Sequence, residues 1–596
     1  MNNPCFAPWL LIAVFAAGFA TLAARLKTEQ IDRSDEHRAA MASQSYRYAA
    51  TAGERGRILA RGGYPLAANR KTFDLVADPA AFASRGDWSA TAESLLAAIE
   101  RLAGGIGRKP DIDEETIARH LKAAAARPLA VWRGLSIGEL AKFEENASDF
   151  PGFFSVERSE RTYPLGAAAV HVTGRTGRDS APPPPGGAKY DYTEMEPRGR
   201  DGLELQYDEY LRGAAGETRI AIDARGFARH RENIVPPQKG PDLSTGIDVV
   251  LQRAVHSQLE GVVGAMVVLD PRDGAVRAMA SSPSFDPGDC VPVFPKELYD
   301  KYVSDPAKPL FNRAAGGVYA PGSTFKPITA LAALGAGIPA DTVCECTGAF
   351  ATGGEKIRCA RTWGHGSLDL RHAMCESCNP YFCEIGVRAG IDAIAAEAEL
   401  FGFGAKTQVD LPSEAAGLVP GPAWKARRRN GAAWRDGDTA QTSIGQGALL
   451  ASPLQMARAA AALGTGWLCR PRLNTALPVV RARLAVPEED FAAVRDGMRL
   501  VVERGSGRPA AENVAAMVIG KTGTAQTGSG ETRRKNTWFI AYVEPTDSSL
   551  RDEPLALAVV VEDGESGGET AAPRVGAVLR AFYGAAAHLP VKGGGA

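Results

Sequence analysis

Pro321-Gly322-Ser323-Thr324-Phe325-Lys326-Pro327 leads directly into the apolar run at residues 328–334. Proline is tolerated in the first turn of a helix, where its missing N–H would go unpaired anyway, so Pro327 is compatible with a helix that starts here. Ser323 and Lys326 then share one face. A serine hydroxyl becomes a useful nucleophile only when a neighbouring base takes its proton. A lysine can do so only when neutral, a state that burial and a second cation nearby both favour. Alone, Ser-x-x-Lys is a weak signal, equally readable as a helix N-cap serine with a surface lysine. Two further stretches change its meaning. Ser377-Cys378-Asn379 supplies a second hydroxyl and an amide, and Lys521-Thr522-Gly523-Thr524 supplies a second lysine at the end of a β-rich run. In that order they are the parts of a Ser–Lys acyl-transfer site.

Strand-like runs lie on both sides of this set. Gly264–Leu269 (GAMVVL) and residues 275–280 (AVRAMA) flank the turn Asp270-Pro271-Arg272-Asp273-Gly274 and read as a hairpin. Residues 516–520, 537–543 and 555–561 are three more such runs, and residues 573–589 are helix-like with one apolar face. Two strands, a helical insert, three strands and a terminal helix predict an α+β domain, one antiparallel sheet covered by helices. Upstream, a polar helical stretch is expected at roughly residues 28–52. A mixed region follows to about residue 235 and holds the proline- and glycine-rich excursion APPPPGGAK at 181–189. The tail KGGGA at 592–596 reads as disordered.

A chain of 596 residues exceeds one core and implies two or three domains. With 45% hydrophobic and 23% charged residues it is ordinary globular protein, and a net charge of −1 gives no basis for a nucleic-acid partner. Residues 5–24 (CFAPWLLIAVFAAGFATLAA) carry no charge, and about 20 apolar residues suffice to cross a bilayer. A cleaved signal peptide is the rival reading, but it normally has a positive leader, and Met1-Asn2-Asn3-Pro4 has none. A retained single-pass anchor is therefore expected, although Arg25 and Lys27 lie on the side assigned to the outside, against the positive-inside tendency. Of nine cysteines, Cys344, Cys346, Cys359, Cys375, Cys378 and Cys383 crowd into one segment. So local a cluster means disulfides or a metal, and the residues alone leave both open.

The chain resembles the class B penicillin-binding proteins. Asp270-Pro271 with Gly274, Ser282-Pro283-Ser284-Phe285-Asp286-Pro287, Asn312-Arg313-Ala314 and the Ser323 segment carry the likeness in the C-terminal half. Arg55-Gly56-Arg57-Ile58, Arg161-Thr162-Tyr163-Pro164, Gly202-Leu203-Glu204, Tyr207-Asp208 and Leu211-Arg212-Gly213 carry it in the N-terminal half, as the family's non-catalytic pedestal. Trp363-Gly364-His365-Gly366, Asp410-Leu411-Pro412, Trp424-Lys425, Gly437-Asp438-Thr439 and Ile444-Gly445-Gln446-Gly447 are similar to the elongation subgroup, penicillin-binding protein 2. That subgroup usually has aspartate where this chain has Asn379, and Asp-Arg-Asn-Gly where this chain has Ala60-Arg61-Gly62-Gly63; asparagine is commoner in division transpeptidases.

The resemblance implies a membrane anchor over 1–27, a pedestal over 28–235, a transpeptidase domain over 236–590 with the fold shared by serine β-lactamases, and a disordered tail over 591–596. It implies a peptidoglycan D,D-transpeptidase of the bacterial inner membrane, with its catalytic domain in the periplasm, that elongates the wall and is acylated by β-lactams. The alternatives are a septal transpeptidase, a β-lactamase and a catalytically silent scaffold. The anchor and pedestal argue against a β-lactamase, and the intact Ser323, Lys326, Ser377 and Lys521 argue against a scaffold. The implied roles are Ser323 as nucleophile, Lys326 as general base, Ser377 as proton relay and Asn379 as holder of the substrate amide. Lys521, Thr522 and Thr524 would take the terminal carboxylate, and the backbone N–H groups of Ser323 and Thr524 would form the oxyanion hole. With no Glu-Asp-x-x-Phe-x-x-His glycosyltransferase signature in the chain, the implied partner is a separate multi-pass membrane glycan polymerase. The subgroup's metal site, carried onto this chain, implies Zn2+ held by Cys344, Cys359, His365 and Cys378, with Cys346 able to replace Cys344.

Overall fold

Strands β1 (Gly264–Leu269), β2 (Val276–Ser282), β3 (Ala516–Thr527), β4 (Arg534–Pro545) and β5 (Leu555–Glu562) form one antiparallel five-stranded sheet in the order β2-β1-β5-β4-β3. Side-chain alternation decides its two faces. On β5, Leu555, Leu557, Val559 and Val561 join one core while Ala556, Ala558 and Val560 join the other. The first face is covered by helices Val249–Leu259 and Ala572–Tyr583 through Leu251, Val255, Leu259, Val575, Leu579 and Phe582. On the second face β5 presents the small residues Ala556, Ala558 and Val560, and the alanine-rich helix Pro453–Thr465 packs against that strand, while Trp538, Ile540 and Tyr542 of β4 fill the same core. Burial on both faces explains why these strands read as unbroken apolar runs. The structure, a computed structural model, describes residues 6–83, 87–178, 190–193, 197–291, 293–352, 355–428, 430–527 and 534–584. The excursion at 181–189 and the tail lie outside the described residues.

Among the described residues the N-terminal half has two larger sheets, besides a two-stranded pairing of Thr176–Arg178 with Pro197–Gly199. Ala228–Val235, Gly216–Ile222, Tyr46–Thr51 and Tyr192–Thr193 form one, and Pro65–Ala77 pairs with both Leu129–Leu135 and Phe153–Thr162 in the other. Helices Trp88–Ile106 and Glu114–Ala124 bury Leu95, Ile99, Leu102, Ile117 and Leu121 against Leu75, Val131 and Trp132. Leu243–Ser244 pairs in parallel with Ile58–Leu59, so the chain returns to this sheet before entering the second half. The helix expected over 28–52 stops at Ser45; Tyr46–Thr51 is a strand. Tyr46-Arg47-Tyr48 lies opposite Arg219, Ile220 and Ala221, and that pairing overrides the polar helical pattern.

A deeply buried ion cluster joins the pedestal segments. Glu204 takes Arg55 Nε at 2.6 Å and Arg161 Nε at 2.7 Å, and Arg55 Nη1 also donates to Asp208. Contacts to the second half follow from the same region. Tyr207 Oη donates to Asp410 Oδ2 over 2.8 Å, His171 Nε2 donates to Pro309 O over 2.9 Å, and Asn312 Nδ2 donates to His171 O over 2.9 Å. At the other end, the 22-residue helix Phe6–Lys27 stands free with Trp9, Leu10, Phe15, Phe19 and Leu22 exposed. At 1.5 Å per residue it is about 33 Å long, enough to span a bilayer core.

Candidate active site

Ser323 lies in a 3-10 turn, Gly322–Phe325, and Lys326 opens the α-helix Lys326–Gly335 that follows. Lys326 N donates to Ser323 O across that turn, so the two residues lie one 3-10 turn apart on the same side of the chain. Across residues 320–333 every residue is buried except Ser323. The turn is fastened to the sheet: Trp538 Nε1 donates to Ala320 O over 3.1 Å, and Gly322 N donates to Gly445 O over 2.8 Å. Two glycines allow the close approach to β3. A Cβ on Gly523 would stand 2.9 Å from Pro321 O, and one on Gly322 would stand 3.1 Å from Thr524 O. Larger residues at either position would push Ser323 and Thr524 apart.

Lys326 is fully buried. Its Nζ donates to Ser377 O at 2.6 Å and to Asn379 Oδ1 at 2.8 Å, with Ser377 Oγ at 3.3 Å. The Phe382 ring lies 5.3 Å from the same nitrogen. Burial pushes the Lys326 ammonium down to about 8, with the thiols of Cys378, Cys383 and Cys359 pulling the other way. Lys521, also fully buried, donates to Ser377 Oγ at 2.9 Å and to Thr522 O at 3.0 Å. Burial first, and the Lys326 charge second, hold it well below the usual lysine range. Both lysine nitrogens thus reach one hydroxyl, that of Ser377.

Ser377 has a positive φ of 52°. Such a conformation costs a β-carbon residue about 1 kcal/mol or more and persists only where the surroundings impose it. Here the imposition is visible: Ser377 N and Cys378 N donate to Met374 O and Ala373 O, and the following helix Asn379–Ala389 starts immediately. Asn379 is engaged at both ends, since its Nδ2 donates to Arg358 O over 2.9 Å. Thr524 Oγ1 accepts from Gly567 N over 3.2 Å, which leaves its own proton free. The expected residues Ser323, Lys326, Ser377, Asn379, Lys521, Thr522 and Thr524 thus come from three separate stretches into one site. Ser506 was not legible in the sequence. Its Oγ lies 2.5 Å from Thr522 Oγ1, and only the tertiary fold brings that turn to the strand.

The cysteine cluster corrects one expected ligand. Cys346, Cys359, His365 and Cys378 place one donor atom each within 4.8 Å of one another, and Cys344 is not among them. The reason is register. Cys346 lies opposite Gly366 with its carbonyl bound to His365 N, whereas Cys344 lies two residues along the strand opposite Leu368. Cys346 Sγ and Cys359 Sγ stand 3.6 and 3.4 Å from His365 Nδ1. A tetrahedral zinc with sulfur at about 2.3 Å and nitrogen at about 2.0 Å sets these donors about 3.5 Å apart. Hydrogen bonding from Cys378, together with the backbone N–H groups of Asn379 and Arg361, draws Cys359 toward the thiolate. Glu376 Oε2 lies 3.5 Å from His365 Nε2, a carboxylate on the far side of the ring. The donor set fits a closed four-coordinate zinc site. The eight described cysteines are all free thiols; Cys383 is buried in the apolar core and Cys375 is half-buried.

Comparison with known proteins gives consistent results. A model described as the penicillin binding protein transpeptidase domain matches residues 264–580, and one described as the penicillin-binding protein dimerisation domain matches residues 50–245. The peptidoglycan D,D-transpeptidase MrdA of Acinetobacter baumannii is 32% identical, covering 92% of this chain and 83% of that protein. MrdA of Escherichia coli is 30% identical, covering 96% and 91%. Among solved structures, penicillin-binding protein PBP2 of Helicobacter pylori, in complex with MreC, matches with a TM-score of 0.73 at 25% identity, covering 89% of this chain and 98% of that one. A chain from a peptidoglycan synthase complex, described as coordinating polymerization and crosslinking, matches with a TM-score of 0.74 at 28% identity, covering 98% and 100%. On a transpeptidase sheet, a pedestal and relatives that match along nearly their whole length, this chain belongs to the class B penicillin-binding proteins and is PBP2-like.

Proposed function

We propose that this protein is a peptidoglycan D,D-transpeptidase of wall elongation, with Ser323 as its nucleophile. One observation carries the reading: a partly exposed serine one turn before a buried lysine, whose backbone N–H donates to the serine carbonyl, beside a second hydroxyl shared by two buried lysines. Neutral Lys326 has two N–H bonds, which its short contacts to Ser377 O and Asn379 Oδ1 take up. Its lone pair is then left for a hydroxyl proton. Ser323 Oγ attacks the carbonyl of the penultimate D-alanine and gives its proton to Lys326. Ser377 relays a proton to the leaving nitrogen, the C–N bond breaks, and D-alanine departs. An amine from a neighbouring stem peptide attacks the ester, forms the new amide and returns the proton to Ser323 Oγ. The substrate's carboxylate, seated by Lys521, Thr522 and Thr524, favours the charged form of Lys521, and through repulsion the neutral form of Lys326. A β-lactam follows the first half of this path and stops at the acyl-enzyme.

Zinc, when bound by Cys346, Cys359, His365 and Cys378, would act as a structural clamp. Cys378 lies between Ser377 and Asn379, so the ligands fix the backbone that aims both side chains. The apolar helix Phe6–Lys27 supports a single-pass anchor in the inner membrane with the remaining domains in the periplasm. Complexes of the solved relatives with MreC and within a peptidoglycan synthase support a partner of the elongation machinery, for which a multi-pass glycan polymerase is the best fit. Names among the matched relatives favour elongation over septation. The test is labelling by a fluorescent penicillin: Ser323→Ala should abolish it while circular dichroism and thermal unfolding stay unchanged. Labelling retained at another residue would overturn the assignment.

A further inference from the structure

A cavity of about 630 Å3 opens beside β3 and is lined by Ser506, Arg508, Pro509, Ser566 and Glu569 among others. Ser506 is exposed in it, whereas Thr522, 2.5 Å away, is only 6% exposed. The turn that carries Ser506 is a fixed platform. Gly505 N and Gly507 N donate to Leu500 O and Val501 O, the carbonyls at the end of helix Glu488–Glu503. A Cβ on Gly505 would stand 2.9 Å from Cys375 O, and one on Gly568 would stand 2.7 Å from Ser506 O, so the turn is packed on two sides.

We propose that Ser506 is a further positioning residue of the carboxylate subsite, acting through Thr522; this rests on the transpeptidase reading above. A carboxylate only accepts hydrogen bonds, so Thr522 must turn its proton toward the substrate. Its oxygen must then accept from elsewhere, and Ser506 is the hydroxyl within reach. The donor chain runs from Ser506 O–H to Thr522 Oγ1, and from Thr522 O–H to the carboxylate. Each bond polarises the next. The opposite direction, Thr522 donating to Ser506, would aim oxygen lone pairs at an anion. Without Ser506 the Thr522 hydroxyl rotates freely and must be oriented anew on each encounter.

The experiment compares two stem-peptide thioesters, one ending in a free carboxylate and the other in a carboxamide, by their second-order rates of acylating Ser323 in the full-length protein. Ser506→Ala should slow the free acid about tenfold, the upper scale of one lost hydrogen bond between neutral groups, and leave the carboxamide unchanged. Ser506→Thr should restore the free-acid rate. In a Thr522→Val background, adding Ser506→Ala should cost nothing further, because the pair acts as one unit. An equal loss on both probes, no loss on the acid, or fully additive losses with Thr522→Val would overturn the proposal. Wild-type protein that neither thioester nor penicillin acylates at Ser323 would instead overturn the transpeptidase reading itself.

Discussion

Lys521 Nζ donates to Ser377 Oγ over 2.9 Å, from a strand to a turn 144 residues earlier in the chain. Lys326 Nζ stands 3.3 Å from the same oxygen. Two buried amines are thus bridged by one hydroxyl that can pass a proton between them. Ser377 is held there in a left-handed conformation that a serine does not adopt unaided. The strain lies at the residue whose position the chemistry most needs.

The pH dependence of acylation follows from Lys326. Its ammonium is pushed down to about 8 by burial, and only the neutral amine accepts the Ser323 proton. The neutral fraction grows as pH rises through that value. Acylation by penicillin should therefore climb about tenfold per unit below it and level off above. Stopped-flow rates between pH 6 and pH 10 check this; a flat profile or a fall across that region would contradict Lys326 as base.

Gly523 should tolerate no side chain. A Cβ there stands 2.9 Å from both Pro321 O and Thr324 Cγ2, so Gly523→Ala must separate β3 from the nucleophile turn. A displacement near 1 Å at a reacting centre costs on the order of a hundredfold. The expected result is a folded protein, acylated about a hundred times more slowly. A Gly523→Ala enzyme of full rate would show that the strand and the turn need not touch.

Metal content separates the neighbouring cysteines. Protein purified without added zinc should hold about one equivalent, and Cys346→Ser should hold almost none, since a closed site needs all four ligands. Cys344→Ser should keep its zinc. Loss of zinc should also slow acylation, because Cys378 fixes the Ser377 and Asn379 backbone. A metal-free wild-type protein with Cys346 or Cys378 in a disulfide would refute the site.

Glu204 is wholly buried between Arg55 and Arg161. Glu204→Gln would leave those guanidiniums with an unbalanced buried charge, at a cost of roughly 3 kcal/mol or more. Urea unfolding of a variant that keeps Trp132 of the N-terminal core and has its other tryptophans replaced by phenylalanine, followed by fluorescence, should shift to lower denaturant. Penicillin labelling at Ser323, which depends on the other half of the chain, should persist in native buffer. Unchanged unfolding would mean the cluster is neutral for stability.

The five strands, the apolar N-terminal helix and the motifs of the Ser–Lys set are legible in the local pattern of the chain. The reason is local: strands buried on both faces need unbroken apolar runs, a membrane helix needs length without charge, and an acyl-transfer site needs those residue types in short motifs. Tertiary structure alone decided the rest. Tyr46–Thr51 is a strand because Gly216–Ile222 lies beside it, a partner far away in the chain that no local pattern reveals. Cys346 displaces Cys344 because the pairing with Gly366 and Leu368 sets which sulfur reaches His365. Ser506 becomes part of the site only because the end of one helix packs against an edge strand, bringing together two hydroxyls whose interaction depends on distance, which a linear sequence does not encode.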